Sequence, residues 1–143
     1  MLLYVLSGQE EYERLRPLSY ADADVILMCY SIDRPDSFHN IPDIWIPEMQ
    51  YFCPYVPIVL VATKKDLRYN PHVEKELLKK GEKTVTYEEG EAMKGKIQCF
   101  GFHETSALNN DGVSDVFDTA CRVTLKKYGK GRKNKNQCNC SLL

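Results

Sequence analysis

The sequence has no run of 18 or more apolar residues, so it predicts no helix that crosses a membrane. The apolar stretch Met1–Leu6 is too short for a signal peptide and has no basic segment before it. With 143 residues, the chain has the length of one domain. Apolar residues make up 43% and charged residues 27%, which is a globular composition and excludes a disordered chain.

Acidic residues are absent from the last part of the chain. Residues 122–143 hold seven Lys and Arg, a net charge of +7, whereas residues 1–121 hold 12 basic and all 20 acidic residues, a net charge of −8. A basic tail on an acidic body predicts that the tail binds an anionic surface. No basic stripe runs along the body, which argues against a nucleic-acid-binding protein.

The six cysteines do not form an obvious disulfide framework. Cys138 and Cys140 lie in the polar tail, and a Cys-x-Cys spacing is too tight for a common zinc site. The other four lie in apolar or helical segments, which predicts small buried thiols in a reducing compartment. These four are Cys29, Cys53, Cys99 and Cys121.

Apolar runs alternate with helical patterns along the chain. Near-continuous apolar runs without alternation suit parallel strands that are covered on both faces. The order therefore predicts an α/β fold with a parallel sheet, whose ligand-binding loops follow the carboxyl ends of the strands. The predicted strands are Leu2–Leu6, Asp24–Ile32, Pro57–Thr63 and Cys99–Glu104.

Helices are predicted between the strands. Ser37–Tyr51 has an apolar stripe with Asp36 or Ser37 as N-cap, and Pro42 and Pro47 are expected to delay or kink it. After Tyr128 the composition predicts a solvated, flexible tail. The other predicted helices are a short charged segment at 73–80, residues 87–96 with Thr86 as N-cap, and residues 112–128.

Two polar strings follow predicted strands. After the strand that ends at Thr63, Lys64 can lay its stem along a base and the Asp66 carboxylate can accept two N–H bonds from a guanine edge. The string Glu104–Leu108 has small residues that let backbone N–H groups approach a base carbonyl. Each string alone is also compatible with a solvated turn.

A third string, Ser7–Glu10, follows the first predicted strand. Gly8 allows a phosphate to approach the backbone closely, and Gln9 can orient an attacking water molecule. The alternative is an ordinary turn. Three such strings in this order, each directly after a strand, favour a nucleotide site over three unrelated turns.

The sequence resembles the Rho family of small GTPases, in the branch of RhoA and RhoC. The resemblance implies a three-layer Ras-like G domain of the P-loop NTPase type, with residues 1–128 as a partial G domain, a Rho insert at about 70–83 and a tail at 129–143. It covers essentially residues 8–143. The segments that carry it are Leu15–Tyr20, Asp24–Cys29, Pro35–Ser37, Phe52–Pro54 and Lys64–Arg68.

The resemblance implies GTP or GDP and Mg²⁺ as ligands. Asp66 would read the N1 and N2 donors of guanine, Gly8 would donate its N–H to the γ-phosphate, and Gln9 would position the hydrolytic water. Residues 9–20 would form the second switch, which exchange factors and effectors contact. The nucleotide-binding residues implied are Gly8, Thr63, Lys64, Asp66, Leu67, Ser106 and Ala107.

The phosphate-binding string of this family, G-x-x-x-x-G-K-[ST], does not occur in the sequence, and neither does the first switch. Val5 stands where the family has the Asp of its Asp-x-x-Gly string. We therefore expect an N-terminally truncated domain that lacks its first strands, binds nucleotide no better than roughly millimolar and hydrolyses no GTP. An open strand edge and poor folding of the isolated chain are expected as well.

Three functions remain open from the sequence. One is a Rho-type GTP-binding switch of the class that regulates the actin cytoskeleton, impaired in nucleotide binding. A second is a non-catalytic, lipid-anchored fragment that competes for Rho partners. The third is a product without function. The partners that the resemblance implies are exchange factors, GTPase-activating proteins, a prenyl-binding dissociation inhibitor and effectors.

The C-terminal residues Cys140–Leu143 fit a C-a-a-X prenylation motif, and the final Leu favours geranylgeranyl. Cys138 is a candidate for palmitoylation. The basic residues before it would add up to ~1 kcal/mol each near an anionic leaflet. One lipid with a polybasic patch anchors stably, which predicts a cytoplasmic protein at the inner face of the plasma membrane or at other membranes.

Overall fold

The computed structural model describes residues 16–20 and 23–132, and it confirms the predicted alternation of strands and helices. Three parallel strands form one sheet in the order β1-β2-β3. The predicted strand Leu2–Leu6 lies outside the described residues. The three strands are β1 (Ile26–Ser31), β2 (Ile58–Thr63) and β3 (Gly101–Glu104).

Five α-helices connect or follow these strands in the described part of the chain. A π-helical segment, Ile41–Trp45, joins the first two helices. The predicted helix over Ser37–Tyr51 is therefore divided into three consecutive helical segments. Pro42 and Pro47 each lie in the first turn of the piece that follows a break. The helices are α1 (Pro35–Asn40), α2 (Ile46–Phe52), α3 (Pro71–Lys79), α4 (Tyr87–Ile97) and α5 (Val113–Arg132).

The predicted N-cap of α1 is wrong. Arg34 occupies the cap position and makes no side-chain cap bond, and Pro35 is the first helical residue. The Ser37 hydroxyl donates to the Arg34 carbonyl at 2.6 Å and accepts the Ser31 N–H at 3.1 Å. Proline at the first position needs no N–H partner and fixes a helical φ, so it starts the helix two residues earlier than the polar residues suggested.

Side-chain caps start α3 and α4. The Thr86 hydroxyl accepts the Glu89 N–H, while the Glu89 carboxylate accepts the Thr86 N–H at 2.8 Å, which completes a capping box on α4. The Thr86 prediction is therefore confirmed. The Asn70 side chain caps α3 and starts it at Pro71, two residues before the predicted start.

The core lies on both faces of β2. Leu60 and Ala62 are fully buried against residues of α1, α2 and α4, and Val59 and Val61 on the opposite face pack with Val116 of α5. A strand covered on both faces and paired on both edges has little freedom, so it fixes where its neighbours end. None of the helices in residues 16–20 and 23–132 is long and apolar enough to cross a membrane.

The cysteine prediction is confirmed only in part. Cys53 is buried and Cys99 half-buried, but Cys29 and Cys121 are exposed. Cys29 lies on β1, whose outer edge carries no further strand in the described residues, and Cys121 lies on an outward position of α5. An apolar sequence context did not reveal these exposed positions, because exposure depends on which neighbouring elements cover a strand or helix.

Gly112 allows the chain to turn from β3 into α5. Its φ is +71°, and a Cβ built there would lie 2.3 Å from the carbonyl oxygen of Glu104, whereas Gly81 has a φ of +73° and open space around it. We expect Gly81→Ala to lower the free energy of unfolding by about 1 kcal/mol, which is the cost of a left-handed non-glycine residue. Gly112→Ala should cost about 1–3 kcal/mol more, because the carbonyl must move.

Urea unfolding of both variants, followed by circular dichroism, measures this difference. Equal losses would show that the contact with Glu104 does not constrain the turn.

Candidate functional site

The loops that follow β1, β2 and β3 meet at one edge of the sheet. The Lys65 N–H donates to the Thr105 carbonyl at 2.9 Å, and the Thr105 N–H donates to the Ala62 carbonyl at 2.7 Å. The Thr63 hydroxyl donates to the Tyr30 carbonyl at 2.9 Å. These bonds connect the ends of all three strands, as parallel topology requires.

Asp66 is held by a residue from the loop after β3. The Ser106 hydroxyl donates to the Asp66 carboxylate at 2.5 Å and accepts the Asn109 N–H at 3.2 Å. Ser106 is fully buried, and its backbone pairs with Asp111 through two bonds of 2.9 Å. The turn after β3 therefore orients the Asp66 carboxylate of the neighbouring loop, and the exposed Ala107 lies on that turn.

Lys64 adopts a left-handed conformation, with φ 60° and ψ 39°. This conformation sends its side chain towards the loop after β1, where the ammonium lies 3.4 Å from both carboxylate oxygens of Asp33. The Ser31 hydroxyl also donates to Asp33. Partial burial by itself would raise the pKa of Asp33, but the Ser31 hydroxyl and the Lys64 ammonium outweigh it and the pKa lies below its usual value.

Besides the Lys64–Asp33 pair, a second ion pair connects the loop after β2 with the end of β3. Arg68 binds both carboxylate oxygens of Glu104 through a planar fork, with one contact at 2.7 Å, and donates to the Val85 carbonyl at 3.1 Å. Both side chains are largely buried. Bidentate pairs of this kind fix orientation as well as charge. Lys65, by contrast, bridges to the exposed Asp111 at 2.6 Å.

Sequence reasoning missed Asp33 as part of this site, and it included Glu104 in a polar string without giving its side chain a role. Asp33 follows β1, and Glu104 is the last residue of β3. The sequence signal that could have identified them is an acidic residue at the carboxyl end of β1 and of β3, the two strands that flank β2. Gly8 and Gln9 lie outside the described residues, as do Cys138 and Cys140.

Comparison with known proteins gives the family. A family model described as Ras family matches residues 3–126. The Rho-related GTP-binding protein RhoB from Homo sapiens is 51% identical over 142 residues, and so are those from Mus musculus and Rattus norvegicus; the match covers 98% of this chain and 70% of each relative. The chain is a Rho-type small GTPase of the Ras family. Its parallel sheet flanked by helices is that of a Ras-like G domain.

The described part of the predicted second switch, residues 16–20, is fixed on α2. Arg16 donates to both carboxylate oxygens of Glu48, at 3.1 and 3.2 Å, and lies 5.2 Å above the ring of Trp45. The Tyr20 hydroxyl also donates to Glu48, at 2.5 Å. Burial by itself would raise the pKa of Glu48, but Arg16 and Tyr20 outweigh it and the pKa lies below the usual 4.5.

This network predicts a pH-dependent stability. A lowered folded-state pKa contributes stability that is complete above the usual pKa of 4.5 and is lost as the pH falls below it. Glu48→Gln removes the charge that accepts hydrogen bonds from Arg16 and Tyr20, so we expect a loss of about 2 kcal/mol in the free energy of unfolding at pH 7. The loss should shrink when unfolding is measured at pH 3.5.

Glu76→Gln on α3 is the control, because Glu76 is exposed and its pairing with His72, at 3.9 Å, is loose. Its effect should stay within about 0.5 kcal/mol at both pH values. A Glu48→Gln loss that is the same at both pH values would contradict the role of the carboxylate.

Proposed function

We propose that the loops after β2 and β3 recognise the guanine base of GTP or GDP. The observation that carries the proposal is the Asp66 carboxylate, which is oriented by the buried Ser106 at the carboxyl edge of the sheet. A carboxylate accepts two parallel N–H bonds from guanine N1 and N2. Adenine presents an acceptor at N1, which the carboxylate would repel.

The neighbouring residues suit the rest of the base. Lys64 is half-exposed, so its stem can lie along the ring plane, and the exposed Ala107 can offer its N–H to the base carbonyl. Thr63 and Leu67 flank these contacts as the end of β2 and the following turn. Ras-family proteins bind GTP and GDP with Mg²⁺, and the base-recognising groups present in this chain fit that ligand.

The phosphates have fewer partners in this polypeptide. Its 143 residues contain no G-x-x-x-x-G-K-[ST] string, whose backbone N–H groups and lysine would hold the phosphates. Base contacts at about 1 kcal/mol each give roughly millimolar affinity at best. We therefore infer weak binding and no GTP hydrolysis, with Gln9 unable to act on a poorly held phosphate.

Titration with GDP and ADP, followed by amide shifts of residues 62–67 and 104–108, tests the base site. GDP should shift these signals with a dissociation constant of about 1 mM or weaker, and ADP should not. Asp66→Ala should abolish the GDP response, and the exposed Asp43→Ala should keep it. Equal responses to GDP and ADP would contradict base recognition, and nanomolar Mg²⁺-dependent retention of GDP would contradict the weak binding.

A second function, that of an interaction fragment for Rho partners, is favoured by an exposed apolar surface beside the predicted second switch. We define the switch patch as Leu18, Tyr51 and Phe52, which are 77%, 80% and 46% exposed. The ring of Phe52 lies 5.9 Å from that of Tyr20, so the patch sits on the Arg16 network. Exposed apolar groups on a rigid base are typical of a partner-binding surface.

The partner kinds are the exchange factors, GTPase-activating proteins, dissociation inhibitor and effectors of Rho proteins. Leu18→Asp should weaken binding of a Rho exchange factor by at least about tenfold, because a charge replaces an exposed apolar anchor. Leu108→Asp is the matched control, since Leu108 is 82% exposed but lies on the turn after β3. Calorimetric titration that finds equal affinities for the two variants would contradict this use of the patch.

We further propose a lipid anchor for a chain that ends at Leu143. Prenylation of Cys140, with palmitoylation of Cys138 and the basic residues before it, would hold the protein at an anionic membrane. Cys140→Ser should move the protein to the soluble fraction of cells, whereas Cys138→Ser should reduce membrane binding only in part. Mass spectrometry that finds unmodified Cys140 and an intact Leu143 in the membrane fraction would contradict the anchor.

A further inference from the structure

Lys65 contacts the turn after β3 at both of its ends. Its N–H donates to the carbonyl of Thr105 at 2.9 Å, just before the turn, and its ammonium lies 2.6 Å from the carboxylate of Asp111, where the turn ends. Asp66, the next residue, accepts the hydroxyl of Ser106 at 2.5 Å. Two consecutive residues of the loop after β2 therefore hold both the start and the end of this turn.

Backbone bonds close the turn at its base. Ser106 and Asp111 each donate their N–H to the carbonyl of the other at 2.9 Å, and the Ser106 hydroxyl accepts the Asn109 N–H at 3.2 Å. These bonds join the two ends of the turn to each other, whereas the Asp111 carboxylate joins its far end to the loop after β2. Ala107 lies between the two ends, so the position of its N–H relative to Asp66 depends on how both ends are attached.

The ion pair of Lys65 and Asp111 is tighter than the ion pair of the neighbouring Lys64. The nitrogen–oxygen distance is 2.6 Å, against 3.4 Å between Lys64 and Asp33, and the Lys65 side chain is 28% exposed, against 54% for Lys64. A partly covered lysine loses less conformational freedom when it pairs, so its ion pair constrains a loop more than that of an exposed lysine. The same contact leaves the Lys65 ammonium less free to bind a ligand.

We propose that Lys65 and Asp111 are positioning residues of the base site. Their ion pair sets the distance between the Asp66 carboxylate and the Ala107 N–H. These two groups must meet N1, N2 and the carbonyl of guanine, which lie along one edge of a rigid ring, so a shift of about 1 Å in either group loses a contact. The inference rests on the recognition of guanine proposed above, and it requires no contact between Lys65 and the nucleotide.

Two variants that break the ion pair with opposite changes of charge test this role. In the full chain, Lys65→Met and Asp111→Asn should each raise the dissociation constant for GDP about fivefold, measured from amide shifts, because a partly exposed ion pair contributes about that factor. If Lys65 instead attracted the phosphates of GDP directly, Asp111→Asn would free the ammonium and strengthen binding. Tighter binding of GDP to Asp111→Asn would therefore overturn the proposal.

The double variant distinguishes one shared interaction from two independent ones. Lys65→Met with Asp111→Asn keeps the net charge of the chain and should bind GDP about fivefold more weakly than the wild type, like either single variant; an additive loss of about 25-fold would overturn the proposal. Lys94→Met and Glu91→Gln are the controls, because these residues form an exposed ion pair of 3.1 Å on α4. Their dissociation constants should stay within about twofold of the wild type, and a loss as large as in the Lys65 and Asp111 variants would overturn the proposal.

Backbone relaxation of the free protein measures the positioning without nucleotide. The order parameter of the Ala107 amide should fall from about 0.85 towards about 0.6 in Lys65→Met and in Asp111→Asn, and it should not change in the two controls. The amides of β2 should keep their order in every variant, which shows that the sheet stays folded. An Ala107 amide that is as ordered in the two variants as in the wild type would overturn the proposal.

The outcomes also separate this inference from the proposed function. A wild-type chain that gives no response to GDP would overturn the recognition of guanine, and the positioning role with it. A wild-type chain that responds to GDP, with Lys65→Met and Asp111→Asn responding equally well, would overturn the positioning role alone.

Discussion

The ladder of hydrogen bonds on both edges of β2 is the constraint on which the rest of the structure depends. β2 pairs in parallel with β1 over six residues and with β3 over four, and both of its faces are buried. Because all three strands run the same way, Asp33, Lys64 and Ser106 must arise at one edge. The position of the candidate site therefore follows from the direction of the strands and does not depend on side-chain contacts.

The features that sequence reasoning predicted well are local ones. β2 was predicted to within one residue, because a buried central strand is apolar throughout. Thr86 was predicted correctly as the N-cap of the helix that follows it, since a cap and the first turn of its helix lie within four residues. The two polar strings that we propose as the base site directly follow β2 and β3. Each of these signals is readable without knowledge of any distant residue.

The features that were missed depend on residues far apart in the chain. Arg68 and Glu104 are 36 residues apart, and no local pattern shows that they form a bidentate pair. The left-handed backbone of Lys64 is set by a loop that must turn between two strand ends, although lysine does not favour that conformation. The exposure of Cys29 depends on whether a further strand covers β1. The ion pair, the backbone conformation of Lys64 and the exposure of Cys29 all depend on tertiary contacts, and none of them can be predicted from the identity of a single residue.

The two ion pairs at the site differ in a way that suits ligand binding. The Arg68–Glu104 pair is bidentate and largely buried, so breaking it would leave an unpaired charge inside the protein. The Lys64–Asp33 pair is long, at 3.4 Å, and its lysine is 54% exposed, so it contributes at most about 1 kcal/mol. A ligand can therefore displace the Lys64 ammonium at little cost while the frame beneath it stays fixed. In the base site that we propose, specificity would come from the rigid Asp66 carboxylate, and Lys64 would adapt to the base that the carboxylate selects.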